Sequence, residues 1–213
     1  MDIEEKAVQL IGKSGGEASF KKVRNYSWAT CINVNAGLVH GIPSKEVVFK
    51  KGDLVSIDVG LFYKGFHTDT SVSVGIGLEA KNQKFLDTGS DAVKAAIAEV
   101  KPGNRIFDLS MAIQDTIEKA GFTPIQALVG HGVGKNLHEE PAIPCFVAGP
   151  RLKSVEIVPG MVLAIEVMYT QGSPEIEIGK DGWTISVRDG KISALFEETV
   201  AVTGHGPLVL TEA

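Results

Sequence analysis

The order of sequence patterns predicts an α+β fold, with helices on the outer face of a curved antiparallel sheet. Three observations carry this. Strand-and-turn signals fill residues 31–74, two helical periods follow, and strand signals return after Pro124 and run nearly to the end. Two segments of the first strand block are echoed in the last one. The 213 residues, 44% hydrophobic and 22% charged, have ordinary globular composition. A chain of this size buries roughly 70% of its unfolded surface and needs no disulfide staple.

The first element is a short amphipathic helix over residues 2–13. Asp2 is placed to cap it, Ile3, Ala7, Val8, Leu10 and Ile11 form its apolar stripe, and Gly15-Gly16 ends it. From Cys31 to about Val74, β-branched or alternating runs are punctuated by Gly37, Gly41-Ile42-Pro43, Gly52-Asp53 and Lys64-Gly65. Around residues 81–100, Phe85, Val93, Ala96, Ile97 and Val100 recur near a 3.6 period. A second helix follows the Lys101-Pro102-Gly103-Asn104 linker, where Ile106, Leu109, Ile113, Ile117 and Ala120 step by three or four and Gly121 stops it.

The echo gives the fold its internal symmetry. Gly52-Asp53-Leu54-Val55-Ser56-Ile57-Asp58-Val59 lines up with Gly160-Met161-Val162-Leu163-Ala164-Ile165-Glu166-Val167, each running from glycine to a carboxylate at the seventh position. Asp69-Thr70-Ser71-Val72-Ser73-Val74 pairs likewise with Glu197-Glu198-Thr199-Val200-Ala201-Val202. Chance likeness of β-rich octamers explains either echo alone, but less readily both in the same order. A pseudo-twofold arrangement gathers four carboxylates at the centre.

Charge and composition exclude several classes of function. The net charge of −5 comes with no basic stripe, so no nucleic-acid partner is expected. Apolar runs such as Met161 to Ile165 fall far short of the ~20 residues a membrane span needs. Two cysteines, Cys31 and Cys145, and an acidic N-terminus without a signal pattern suit a cytoplasmic protein.

Asp58 stands inside Val55-Ser56-Ile57-Asp58-Val59, and Glu166 inside Leu163-Ala164-Ile165-Glu166-Val167-Met168. The strand period puts Asp58 on one face with Ser56 and Gly60, opposite Val55, Ile57 and Val59. A buried carboxylate needs a cation, and neither segment holds an Arg or Lys. A structural ion pair with a distant residue accounts for either acid alone; the two together, with Asp69 and Glu197, favour a metal. Gly130-His131-Gly132 brackets a histidine with residues that lack side-chain bulk, and His138 follows seven residues on. His40 is presented at a turn in Val39-His40-Gly41-Ile42-Pro43. His67 and His205 read as surface or turn residues without a role. Four carboxylates with one or two imidazoles form a hard ligand set that suits two ions of Mn, Fe(II), Co or Zn, a centre able to support amide hydrolysis.

At these residues the sequence resembles the type I methionine aminopeptidases, of the pita-bread fold, over nearly the whole chain. Asp58 and Asp69 are eleven apart, with Asp69 in Gly65-Phe66-His67-Thr68-Asp69-Thr70-Ser71. His131 lies in Gly130-His131-Gly132, before His138-Glu139-Glu140-Pro141. Glu166 follows Pro159-Gly160-Met161, Glu197 follows Asp181-Gly182-Trp183-Thr184, and His40 heads a His-Gly-Ile-Pro turn eighteen residues before Asp58. The resemblance implies one catalytic domain over 1–213, with halves of roughly 1–100 and 101–213. It implies that Asp58 and Asp69 hold one divalent ion, that His131 and Glu166 hold the other, and that Asp69 and Glu197 bridge them. Glu166 would shuttle a proton to the leaving amide, His138 would stabilise the oxyanion, and His40 would hydrogen-bond the scissile peptide. Tyr26, Cys31, Leu137 and Trp183 match the methionine pocket, an apolar slot suited to a thioether; plain core packing is their competing reading. The implied partners are N-terminal methionyl peptides or nascent chains, with proximity to the ribosome.

The chain also departs from that pattern. Only 39 residues precede His40, so the helix that usually opens the family's catalytic domain is expected to be missing. The half carrying Asp58 and Asp69 should then expose apolar surface, on a monomer or on a dimer that covers it. Val167 stands where a proline usually follows the glutamate, and Leu137, Phe20 and Val23 depart from the aromatic and cysteine pattern around the pocket. Glu198 beside Glu197 leaves that assignment to alignment. An X-Pro aminopeptidase or prolidase relative, a non-catalytic peptide-binding module and a metal-storage site are the competing readings. Trp183 and the His-Gly-Ile-Pro turn favour methionine over X-Pro substrates.

Overall fold

A computed structural model of the chain describes residues 1–212, which form three α-helices and thirteen strands. In the first half, helix α1 (Asp2–Ser14) leads to β1 (Glu17–Ala18), β2 (Thr30–Val34), β3 (Gly37–Val39), β4 (Leu54–Tyr63) and β5 (Phe66–Gly75). The middle of the chain is helical, α2 (Ala80–Ala98) and α3 (Ile106–Lys119). The second half brings β6 (Thr123–Pro124), β7 (Val129–Gly132), β8 (Glu139–Pro144), β9 (Val162–Thr170), β10 (Ile176–Ile178), β11 (Ile185–Val187), β12 (Ser193–Thr203) and β13 (Gly206–Val209). The expected blocks and the Lys101–Asn104 linker are all present.

One ten-stranded sheet runs β1-β4-β5-β12-β9-β7-β8, with β2 also on β4, β6 also on β9 and β13 on β12; β10, β11 and β3 form a small second sheet. Every pairing is antiparallel. The pseudo-symmetry is visible in this order: β1 and β2 flank the β4–β5 hairpin as β6 and β7 flank β9–β12. Lys64 and Gly65 both take positive φ, the primed geometry that closes a tight hairpin between β4 and β5.

The two hairpins nevertheless differ in register. Asp58 pairs with Ser71, whereas Glu166 pairs with Glu197 itself, so Asp69 lies two residues from the position the echo assigns it. A slip of two preserves the face, and only a slip of one would turn a carboxylate outward. Asp58, Asp69, Glu166 and Glu197 therefore share the inner face.

The core lies between the outer face of the sheet and helices α2 and α3. Phe85, Ala92, Ala96, Leu109, Ile113 and Ile117 are buried there against Ile165, Val167, Tyr169 and Phe196. The first half is covered more thinly. On α1, Ile3, Ala7 and Ile11 are half-buried, but Val8 and Leu10 are exposed and the one buried residue is Glu4. Two expectations for this helix thus fail. Met1 rather than Asp2 is the N-cap, with no side-chain cap bond, and a carboxylate rather than the full apolar stripe anchors it. Glu4 reaches the start of β2, where it accepts bonds from the Ala29 amide at 2.8 Å, the Thr30 amide at 3.0 Å and the Thr30 hydroxyl at 2.7 Å. Val72 and Val74 on the outer face of β5 are also exposed, as expected of this half. Among the described residues no helix is long and apolar enough to cross a membrane.

Candidate metal centre and substrate pocket

Strand parity delivers the acids to one place. Asp58 from β4, Asp69 from β5 and Glu197 from β12 are buried on the inner face; Glu166 from β9 is half-buried beside them. Single ligand atoms of Asp69, His131 and Glu197 all lie within 4.8 Å of one another. His131 Nε2 is 3.4 Å from Glu166 Oε1, and Asp58 lines the same cavity next to Asp69. Glu197 faces this cluster, whereas Glu198 points to the other side and bonds the Thr211 hydroxyl.

The glycines around His131 have specific tasks. A Cβ on Gly130 would stand 2.6 Å from the Ala164 carbonyl oxygen and 3.0 Å from the Glu166 nitrogen. One on Gly132 would collide with the Glu140 carbonyl. Bare backbone therefore lets β7 approach the strand that carries Glu166. His131 donates from Nδ1 to the Gly132 carbonyl at 2.8 Å, which turns Nε2 toward the acids, the usual way a ligand imidazole is oriented.

The chemistry of this cluster calls for a cation. Asp58 Oδ1, Asp69 Oδ1 and Glu197 Oε1 are buried without a hydrogen-bond partner. Burial raises all three acids well above the ordinary carboxylate range, and neighbouring charges add to it: Glu166 for Asp58, Asp58 for Asp69, Asp69 for Glu197. At His131 burial pulls the pKa down, but the Glu166 carboxylate outweighs it and the net shift is upward. Orphaned oxygens facing one imidazole nitrogen fit a divalent ion with oxygen-rich coordination. Asp69, His131 and Glu197 are placed to hold it, and Asp58 and Glu166 line the same cavity.

A seam of hydroxyls keeps the two halves in register at this point. β5 and β12 share only the Glu197–Ser71 pair in their ladder. Thr199 Oγ1 accepts the Asp69 N–H at 2.8 Å and donates to the Asp69 carbonyl at 2.6 Å. Thr70 bonds the Glu197 carbonyl at 3.0 Å, and Ser73 bonds both the N–H and C=O of Leu195. Sequence reading did not single out these residues, although Thr199 and Ser73 lie on the same strand face as the acids.

The acids form the floor of a cavity of about 120 Å³. Its apolar wall contains Tyr26, Cys31, Leu137 and Trp183, the four expected pocket residues, together with Phe20 and Val23. Tyr26 donates to the Thr30 carbonyl at 2.9 Å, and its ring meets Trp183 edge-on at 5.0 Å. Burial raises both the Tyr26 phenol and the Cys31 thiol, so both stay neutral. Asp181 accepts the amides of Trp183 and Thr184, each at 2.9 Å, and so holds the turn that presents the indole. Larger grooves exist, such as one of about 400 Å³ between α3 and β8, but it does not gather such a set of titratable groups.

His40 and His138 line the same cavity. His40 has φ of 57°, the left-handed region, and its ring lies edge-on to that of Trp183, 6.5 Å between ring centres. His138 stacks edge-on with His131 at 4.5 Å. Burial lowers both pKa values, and the neighbouring His131 lowers that of His138 further. His205 is exposed in the β12–β13 turn, as expected. His67 is the correction: it is buried on the inner face of β5, 7% exposed, two residues before Asp69.

Comparison with known proteins gives concordant results. The model of metallopeptidase family M24 matches residues 1–204. A methionine aminopeptidase of Aquifex aeolicus is 42% identical over 199 residues, which span 93% of this chain and 77% of that protein. Methionine aminopeptidase 1 of Bacillus subtilis is 39% identical and covers 99% of this chain and 84% of its own length. The crystal structure of a Thermotoga maritima methionine aminopeptidase superposes with a TM-score of 0.96 at 39% identity, over 100% of this chain and 85% of that one. The fold is thus the pita-bread fold of these structures.

Proposed function

This chain belongs to metallopeptidase family M24, and from that membership and the site we infer that it is a metal-dependent aminopeptidase that removes N-terminal methionine from peptides. One observation carries the reading: a floor of partnerless buried carboxylates meets a side-chain-sized apolar slot in a single cavity. Two divalent ions, of Mn, Fe(II), Co or Zn, are the proposed cofactors. Asp58 and Asp69 would hold one, His131 and Glu166 the other, with Asp69 and Glu197 between them. When bound, such ions acidify water and polarise a carbonyl.

The protein's own groups then have distinct tasks. The methionine side chain fills the slot between Tyr26, Cys31, Leu137 and Trp183, and its free amine faces the acidic floor. His40 donates a hydrogen bond to the scissile peptide and holds its carbonyl in place. Glu166, the most open of the acids, takes a proton from the attacking water and returns it to the amide nitrogen as the C–N bond breaks. His138 donates to the oxyanion. The preferred substrates carry a small second residue after the methionine. Nascent chains near the ribosome in the cytoplasm are the proposed substrates. The proposed oligomeric state is a monomer, or a dimer that covers Val72 and Val74.

Methionine release from Met-Ala-Ser by protein reconstituted with Mn, Co or Fe(II), beside an Asp69→Ala control, tests the assignment. Metal-dependent release abolished by the substitution supports it. Turnover of X-Pro peptides in preference to Met-Ala-Ser would assign the chain to the prolidase-like alternative. Metal binding without any turnover would leave a binding module.

A further inference from the structure

His67 joins the two walls of the substrate pocket. Its backbone N–H donates to the Gly134 carbonyl at 2.7 Å, in the loop that carries Leu137 and His138. Its Nδ1 is hydrogen-bonded at 2.9 Å to the Ser19 hydroxyl, at the head of the segment that carries Phe20, Val23 and Tyr26. The Ser19 contact is buried, and Gly134 is half-buried. The ring itself is held by the cross-strand Phe62, 4.6 Å between centres.

The Ser19 end is built to transmit position. Ser19 is fully buried and donates its N–H to the Gly60 carbonyl at 2.9 Å. A Cβ at Gly60 would stand 2.6 Å from the Ser19 Cβ and 3.0 Å from the Phe20 ring. The missing side chain on β4 is thus the space into which Ser19 and Phe20 fit. From Ser19 a chain of turn bonds continues, Lys22 N–H to Ser19, Val23 N–H to Phe20 and Tyr26 N–H to Val23. The position of Ser19 therefore sets where Phe20, Val23 and Tyr26 stand in the slot. Opposite, the Gly134 loop closes on itself through Gly134 N–H to Asn136 at 3.0 Å and Asn136 N–H to Glu139 at 2.8 Å.

From this geometry, and resting on the methionine reading of the pocket, we propose that His67 is a positioning residue that sets the width of the side-chain slot. It touches no reacting atom. Removing its imidazole frees the Ser19–Tyr26 wall while the backbone bond to Gly134 persists. The slot should then widen on one side and lose its discrimination between the linear methionine side chain and branched leucine.

The experiment compares His67→Ala, His67→Asn and Ser19→Ala with the wild type on Met-Ala-Ser and Leu-Ala-Ser. His67→Ala should raise KM for Met-Ala-Ser about five- to tenfold with kcat within about threefold, and narrow the Met/Leu ratio of kcat/KM by about tenfold. His67→Asn, whose amide can reach Ser19, should restore most of that ratio. Ser19→Ala should reproduce the His67→Ala profile, and the double variant should add little to either. A fall in kcat with the KM and Met/Leu ratio unchanged would overturn the proposal, as would additive effects of the two alanine substitutions. If the wild type fails to cleave Met-Ala-Ser, the methionine reading fails. The His67 assignment is then tested by tryptophan fluorescence, from Trp28 and Trp183 on either side of Tyr26: both alanine variants should shift it alike, and an unchanged spectrum in either would overturn the assignment.

Discussion

Thr199→Val tests the claim that side-chain hydroxyls, rather than the β ladder, hold Asp69 against the second half. Valine has the shape of threonine, so the substitution opens no cavity and isolates the hydroxyl. In the native structure that hydroxyl accepts from the Asp69 N–H at 2.8 Å and donates to the Asp69 carbonyl at 2.6 Å, with Thr199 fully buried. Both backbone groups lose their partner in the variant. An orphaned buried donor or acceptor costs about 1–3 kcal/mol, so the pair should cost about 2–4 kcal/mol in unfolding free energy after the gain from burying a methyl group. Domains of this kind have about 5–15 kcal/mol in total, so the effect is large. Urea denaturation of chelated protein, followed by circular dichroism, reads it as a lower midpoint. Activity should fall further than stability requires, because displacing a site group by ~1 Å costs about a hundredfold in rate. Thr199→Ser keeps the hydroxyl and should lose only about 1 kcal/mol from the missing methyl. A valine variant with wild-type midpoint and kcat/KM would refute the reasoning, and so would a serine variant as damaged as the valine one.

Removing divalent ions with a chelator should lower Tm, and adding Mn at about a hundredfold excess over its Kd should restore about 2.7 kcal/mol; calorimetry showing no shift would contradict the fit of the orphaned carboxylates to a cation. Glu4→Ala leaves the Ala29 and Thr30 amides without their acceptor, so about 2–4 kcal/mol should be lost, with a rise in KM because Thr30 also seats Tyr26. Urea midpoints and peptide kinetics read both effects. Arg151 holds the Asp108 carboxyl below its ordinary 3.8 through bonds of 2.7 Å, so the ionised form favours the fold. Its contribution is complete above that pH and is lost as pH falls through the lower folded value. Asp108→Asn should therefore destabilise at pH 7 and converge on the wild type in acid; a gap independent of pH would contradict the pairing.

What the sequence could show follows from which signals are local. Helices α2 and α3 were readable because their 3.6 periods, linker and Gly121 stop lie within a few residues of each other. Asp58, Asp69 and Glu166 were readable because the strand period holds each on one face of its strand, and a two-residue slip in register left that face unchanged. Between Glu197 and Glu198 parity could not choose, and only the structure turns Glu198 to Thr211. Glu4 was not readable. Its burial depends on amides twenty-five residues away, and within its own helix it is one polar residue among several. The Ser19 hydroxyl and the Thr199 clamp were hidden for the same reason, since their partners are forty-eight and one hundred and thirty residues distant.

His67 is a different case, because a local signal for it existed. The Lys64-Gly65 turn draws attention to chain reversal, and a polar residue two positions later reads as part of it. Yet the period-two rule that places Asp58 with Ser56 and Gly60 also places His67 on one face with Asp69, Ser71 and Ser73. All four are buried. Once Asp69 is assigned inward, an outward His67 would require a bulge between them, and the ladder from Leu54–Gly75 to Tyr63–Phe66 runs without one. An inward histidine facing Gly60 and Phe62 on the neighbouring strand must find a partner across the sheet face. The Ser19 hydroxyl is that partner. The assignment of His67 to the pocket walls therefore follows from the same parity that assembles the acids.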